Sequence, residues 1–352
     1  MEKGDKRGPQ FENDIFDIAV KSMEENKGDT PSERIAIVIG EKGSGKSSLI
    51  AAMVGEDPKA ERKPTAGMDY KFSTKKIESK RVVGHYHEIG GGRLLSDLLK
   101  TALYPKKIQD IVLIITIDMS QPDTALHHLN YWLRKASEDV NTVLEEIDAT
   151  DPSLSSEVRS RSAFQWEGHS DAKRVSPIGI PTIIVGTKYD VFGIQESENK
   201  KWLCRGMRFN AHVNGCDLTF CSYRDKDFDP LKALISRQVY GSTKVPKMQA
   251  DHGKILSIVS GQDKLTAIGD PPIPGEMSMD QAWIMSVESY FPLKNPITEE
   301  EQDNDLGDMS KYNEPKVDAM KAQKDEEITR NKPSIQLKGK KPRKVVKRVE
   351  VE

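Results

Sequence analysis

The sequence predicts an α/β fold with a mainly parallel sheet and helices on both of its faces. Short, nearly continuous apolar runs recur along the chain, among them "RIAIVI", "DIVLIITID" and "IPTIIVG", and helical stretches separate most of them. Strands of that kind are buried on both faces, as crossover helices require. Ile35–Ile50, "IAIVIGEKGSGKSSLI", reads as strand, glycine-rich turn and helix start with the spacing G-x-x-x-x-G-K-S. The 352 residues are enough for one large domain or two small ones.

Ahead of the first strand, Phe11, Ile15, Ile18 and Ser22 share a helical face flanked by Phe16, Ala19 and Met23, so residues 1–33 read as a helix and linker. Residues 34–245 form the expected main domain, its later strands "DYKFSTKKI", "RVVGHYHEI" and "CDLTFCS". From Leu126, the positions Leu129, Leu133, Ala136, Val140, Val143 and Ile147 step by three and four. A coiled-coil seam has that spacing, and so does the inner face of a helix packed on a sheet; the preceding core strand favours the sheet. Residues 150–178 are polar and read as an insertion, before the strand at Ile180. Residues 246–295 read as an extension packed on the core. They hold the strand-like "KILSIVSG", the turn-rich "GDPPIPGE", and a capping box, Ser278 with Gln281, opening a helix with Trp283, Val287, Tyr290 and Phe291. Residues 296–352 read as a largely disordered tail: "TEEEQDNDLGDM" carries six acids, "KGKKPRKVVKR" seven bases, and "EPKVDAMKAQKDEEITR" between them suits a solvated helix.

A net charge of -2 supplies no global field for nucleic acid or a membrane surface. The first 33 residues lack an apolar signal core, and "IVLIITI" is far too short to span a bilayer, so a cytoplasmic protein without membrane insertion is expected. Cys204, Cys216 and Cys221 show no CxxC spacing and read as buried, reduced thiols. His85 and His87 on one strand, and His127 and His128 on one helix, offer too few convergent ligands for a metal.

The chemistry sits in the glycine-rich turn. Gly40, Gly43 and Gly45 let backbone N–H groups converge on phosphate oxygens, and the helix start at Ser48 adds its partial positive charge. Lys46 would reach the outer phosphates and Ser47 would ligate magnesium. Further pieces, in chain order, resemble the motifs of Ras-like GTPases, which makes the expected fold a Ras-like P-loop NTPase fold. In "KPTAGMDY", Thr65 matches the threonine that binds magnesium and senses the third phosphate. In "HEIGGG", Glu88 stands for the usual aspartate, Gly91 matches the glycine, and Gly92 falls where the catalytic glutamine belongs. Arg93 reads either as an internal arginine finger or, more simply, as a solvated or partner-facing residue. In "GTKYD", Lys188 and Asp190 match the guanine-reading pair, while Thr187 replaces the asparagine that braces the loop. Ser222 in "CSYR" keeps the serine of the last turn. GTP or GDP with magnesium is the expected ligand, and a nucleotide-free site is the alternative. Asp118, after "IVLIIT", is the competing candidate for an ATPase-type magnesium aspartate.

"KPTAGMDY", "HEIGGG", "GTKYDVF", "PPIPGE" and "VDAMKAQKD", in that order, resemble the light intermediate chains of cytoplasmic dynein, and among them the ciliary dynein 2 form. The resemblance runs from the N-terminal helix to about Arg330 and leaves out the basic end from Lys338. It implies a non-catalytic subunit on the dynein 2 heavy-chain tail, in contact with other dynein 2 subunits and intraflagellar transport trains, in cytoplasm and cilium. A regulatory Ras-like GTPase whose nucleotide state controls its partners is the competing reading.

Overall fold

The structure, a computed structural model, describes residues 32–77, 80–273, 277–294 and 314–331. The expected N-terminal helix and most of the charged tail lie outside them. Seven strands are described: β1 (Ser32–Gly40), β2 (Met68–Ile77), β3 (Lys80–Ile89), β4 (Ile111–Asp118), β5 (Thr182–Thr187), β6 (Asp217–Phe220) and β7 (Ser257–Ile258). They form one sheet in the order β2-β3-β1-β4-β5-β6-β7. The inner strands β3, β1, β4, β5 and β6 run parallel, and β2 and β7 close the edges antiparallel. This is the mainly parallel sheet the apolar runs require.

Helices cover both faces. On one lie α3 (Pro122–Asp148) and α6 (Ser197–Val213), on the other α1 (Lys46–Val54) and α7 (Asp229–Gln238). Central strand β4 is buried from Ile111 to Ile117, so it reads as one apolar run. The three-and-four stripe of α3 faces this core, with Leu126, Leu129, Leu133, Ala136, Val140, Val143 and Ile147 all buried; it is a sheet-packing face, not a coiled-coil seam. Fully burying one such side chain contributes about 1.5–3 kcal/mol.

Two stretches differ from their sequence reading. The polar 150–178 segment contains helix α4 (Pro152–Phe164), capped by Asp151, whose side chain accepts from Leu154 N. "KILSIVSG" supplies only the two-residue β7 and a bridge from Gln249 to Ser257. Short helices α2 (Leu98–Ala102), α5 (Tyr189–Phe192) and α8 (Leu265–Ile268) fill connections. Helix α9 (Met279–Tyr290) starts at Ser278, which accepts from Gln281 N, and buries Trp283 and Val287. The chain divides into two compact units, residues 1–307 and 308–352. In the second, α10 (Pro315–Asn331) is the described element, and its described residues are all exposed. No helix among the described residues is long and apolar enough to cross a membrane.

Register places the motifs together. Gly40 pairs with Thr116, Val38 with Glu88, Asp118 with Thr187 and Gly186 with Phe220. The ends of β1, β3, β4, β5 and β6 therefore lie along one edge of the sheet. The chain leaves β1 toward β3 on one side and β4 on the other, which opens a crevice at that edge.

Candidate functional site

The turn after β1 is shaped by glycine. Gly40, Gly43 and Gly45 have φ of 147°, 76° and 89°. A Cβ on Gly40 would lie 2.4 Å from the Thr116 carbonyl oxygen, whereas one on Gly43 would meet nothing within 4 Å. The loop thus packs tightly against β4 and stays open on its outer side. Helix α1 begins at Lys46 with no side-chain cap, so its first N–H groups remain available to an anion. Lys46 is buried, and its Nζ donates to the carbonyls of Gly40 at 3.0 Å and Glu41 at 2.9 Å. Burial lowers the Lys46 pKa, with Glu88 and Glu41 opposing that shift. Ser47 Oγ donates to Glu88 Oε1 at 2.7 Å, and Glu88 is itself buried. Ser48 follows, half-buried in the first turn.

Thr65 comes to the same place. Ser47, Thr65 and Glu88 line one cavity of about 390 Å³ together with Asp69 and Glu56. Gly90 is pressed against Thr65, where an added Cβ would lie 2.2 Å from the Thr65 carbonyl oxygen. Gly91 and Gly92 have φ of 74° and 59°. Arg93 is neither solvated nor free to reach a phosphate. Its Nε donates to Glu41 Oε1 at 2.7 Å and its guanidinium lies 4.4 Å from the Tyr131 ring centre.

The other end of the crevice is already paired. Lys188, with φ of 55°, bonds through Nζ to Asp118 Oδ2. Asp118 Oδ1 in turn accepts from Ser120 N and Oγ, so both carboxylate oxygens are engaged and Asp118 braces the lysine. Asp190 lies 3.4 Å from Arg224 of the "CSYR" turn. Ser222 Oγ donates to Asp227 at 2.6 Å. Thr187 corrects the expectation of weaker bracing: its hydroxyl lies 2.8 Å from the Ser44 carbonyl oxygen and 3.1 Å from that of Ile117. A threonine here ties the phosphate loop to β4 directly.

A second cluster had no signal in the sequence. His169, Asp171 and His212 lie close enough to suggest a metal, yet each is committed to hydrogen bonds. Asp171 N donates to His169 Nδ1 at 3.1 Å, leaving His169 Nε2 to donate to the Asp263 carbonyl at 3.1 Å. His212 Nε2 lies 3.0 Å from Asp171 Oδ2, which also accepts from Leu265 N at 2.9 Å. Arg208 grips Asp263 with two bonds of 2.8 Å. The cluster stitches the segment after α4 and the extension before α9 onto α6. Its long-range partners lie 41 to 94 residues apart, beyond any local motif. The three cysteines are free and buried, and burial pushes Cys204 and Cys221 up to about 12.

The sheet order and the phosphate-loop edge define a Ras-like P-loop fold. A solved structure described as the conserved domain of the dynein light intermediate chain matches with a TM-score of 0.52 at 12% identity, covering 81% of this chain and all of that one, which supports the fold. The family profile "Dynein light intermediate chain (DLIC)" matches residues 18–177. Cytoplasmic dynein 2 light intermediate chain 1 of Rattus norvegicus is 30% identical over 312 residues, 86% of this chain and 88% of the relative. Its Homo sapiens counterpart is 29% identical, with 88% and 90% covered. Cytoplasmic dynein 1 light intermediate chain 1 of Homo sapiens is 25% identical, and this chain spans 52% of it. The chain belongs to the dynein light intermediate chain family.

Proposed function

We propose that the chain is a non-catalytic subunit that binds and steadies the dynein 2 heavy-chain tail, on a nucleotide site that holds its ligand without turning it over. Gly92 carries this reading. It stands at the glutamine position of Ras-like enzymes with no side chain to orient water. A Cβ there would come 3.1 Å from Lys42 N and 3.2 Å from Glu41 Oε2. Phosphoryl transfer depends on positioning and charge stabilisation, and Arg93, tied to Glu41, supplies neither.

The phosphate end fits a guanine nucleotide with magnesium. Gly40, Gly43, Gly45, Lys46, Ser47 and Ser48 would hold phosphates, and Ser47 and Thr65 the metal, with Glu88 orienting Ser47. Thr187, Lys188, Asp190 and Ser222 would frame the base. Bound magnesium would neutralise phosphate charge. The names of the dynein 2 relatives support placement in that motor, and with it retrograde intraflagellar transport in the cilium, in company with other dynein 2 subunits.

The competing switch reading has its own observation, the convergence of Ser47, Thr65 and Glu88 on one cavity. Turnover separates the two. The purified protein should hydrolyse GTP no faster than unaided Ras, about 10⁻⁴ s⁻¹, and Gly92→Gln should not raise that rate. Turnover approaching about one per minute without a partner, or tail binding that differs about tenfold between GDP and a non-hydrolysable GTP analogue, makes the protein a switch.

A further inference from the structure

Among the described residues, part of one sheet face is left uncovered by any helix. Residues directly opposite in an antiparallel pair share a face, and the β2–β3 register sets Met68 against Ile89, Tyr70 against His87, Phe72 against His85, Thr74 against Val83 and Lys76 against Arg81. Met68, Tyr70 and Phe72 are 41%, 49% and 61% exposed, too much apolar area on one strand to be incidental. The rings are ordered among themselves. Tyr70 stacks on Phe72 and on His85 with centroids 6.4 and 5.9 Å apart, and its hydroxyl lies 2.8 Å from His85 Nδ1. His87 lies between Tyr70 and the exposed Tyr104. On the reverse face of the same strands, by contrast, Tyr86 is buried and bonds to Tyr240.

The border is basic. Lys76 and Arg81 are exposed at the hairpin end, and Lys106 is exposed next to Tyr104. Glu33 shares the face through its pairing with Val83, and it is already held by Lys107 at 3.3 Å and by His85 at 3.9 Å. Glu78 lies outside the described residues. An aromatic floor with a cationic rim has the composition of a protein interface. From Met68 to Lys76 the floor is about 27 Å long, which matches roughly 18 residues of helix.

We propose that this face docks an acidic amphipathic helix of the heavy-chain tail. The helix rests its apolar stripe on Met68, Tyr70, Phe72 and Tyr104 and brings carboxylates to Lys76, Arg81 and Lys106. The inference rests on the subunit reading above and names the surface that serves it.

Two full-length variants test it against recombinant dynein 2 heavy-chain tail. Tyr70→Thr with Phe72→Thr keeps strand propensity while removing the rings, and Lys76→Glu with Arg81→Glu reverses the rim. Both should melt within about 3 °C of wild type. The ring variant should bind the tail about thirtyfold more weakly, and the rim variant about fivefold more weakly, with a deficit that shrinks at high salt. In the wild-type complex, amide exchange over residues 68–77 should slow. If wild type binds and both folded variants bind as well, the docking face is overturned and the subunit reading stands. If wild type does not bind the tail, both fall. Two further results overturn the proposal: protection of residues 68–77 in the free chain that Ile15→Asp abolishes, which gives the face to the chain's own N-terminal segment, or a concentration-dependent dimer that the ring variant abolishes.

Discussion

At the phosphate end of the crevice, positive-φ glycines, an uncapped helix start, Lys46 and the Ser47–Glu88 bond leave a loop that is open on its outer side. At the base end, Lys188, Asp190 and Ser222 each meet a partner from this same chain, in Asp118, Arg224 and Asp227. The first end is built mostly from backbone geometry, which tolerates drift in neighbouring side chains. The second depends on side-chain atoms, which other side chains can engage. A ligand could therefore keep its phosphate grip here while its base competes with internal ion pairs. The asymmetry fits a site that holds better than it reads.

The largest effect should come from Gly40→Ala, which breaks the phosphate end outright. The added methyl would stand 2.4 Å from the Thr116 carbonyl and hydroxyl oxygens, in a backbone region L-residues avoid. Overpacking of this kind costs about 3 kcal/mol, or a fall of about 6–12 °C in Tm. Calorimetry with and without nucleotide checks it, and an unchanged Tm would mean the loop is looser than described.

Lys46→Ala should spare the fold and remove the grip. A ligand bound to the native state alone adds about 2.7 kcal/mol at a hundredfold excess over Kd. Addition of GDP and magnesium should therefore raise the wild-type Tm and leave that of the variant unmoved, while tail co-purification persists in both. Tail binding lost from folded Lys46→Ala would couple the two functions.

Asp190→Asn and Arg224→Ala sharpen the base end in opposite directions. The first faces a guanine donor with another donor and should weaken GDP about tenfold. The second releases Asp190 from an exposed pair and should strengthen GDP by at most about fivefold, since such pairs contribute about 0–1 kcal/mol. Titration with a fluorescent GDP analogue measures both. Equal affinities across wild type and both variants would show that the base lies elsewhere.

The smallest effect concerns pH. Burial lowers the pKa of His212, against the pull of Asp171, and lowers that of His128 behind the phosphate loop. Burial disfavours the charged imidazole of both in the fold, so the unfolded chain takes up protons first, at about 6.5. Their contribution to stability is thus complete above that pH and declines as pH falls through it. Asp139 and Asp217, raised by burial, oppose this slope. Tm should fall between about pH 7 and pH 5.5. His128→Gln and His212→Gln should each flatten the curve, showing whether the crevice or the stitch on α6 yields first.

What the sequence disclosed divides along the same line. Apolar runs and the glycine spacing announced the sheet and the phosphate loop because both are local patterns. Gly92 announced a missing side chain, though not that a Cβ there would crowd Lys42 and Glu41. Thr187 read as a poorer asparagine because hydrogen-bond reach depends on how close β5 brings it to Ser44, 143 residues away in sequence. Arg93 read as solvated because Glu41 and Tyr131 meet it only in space. The pairing of Asp190 with Arg224 was hidden for the same reason.

The stitch between Arg208 and Asp263, and the burial of Trp283 beside Phe209, also set a timetable. During synthesis Arg208 emerges 55 positions before Asp263, which neutralises it, and β6 waits for β7 at Ser257–Ile258 to cover its edge. At about 5–20 residues per second, those 55 positions take roughly 3–11 s. Through that interval the nascent chain carries an uncovered strand edge and an unpaired guanidinium, so its most exposed moment comes after β6 has been made and before β7 and Asp263 arrive.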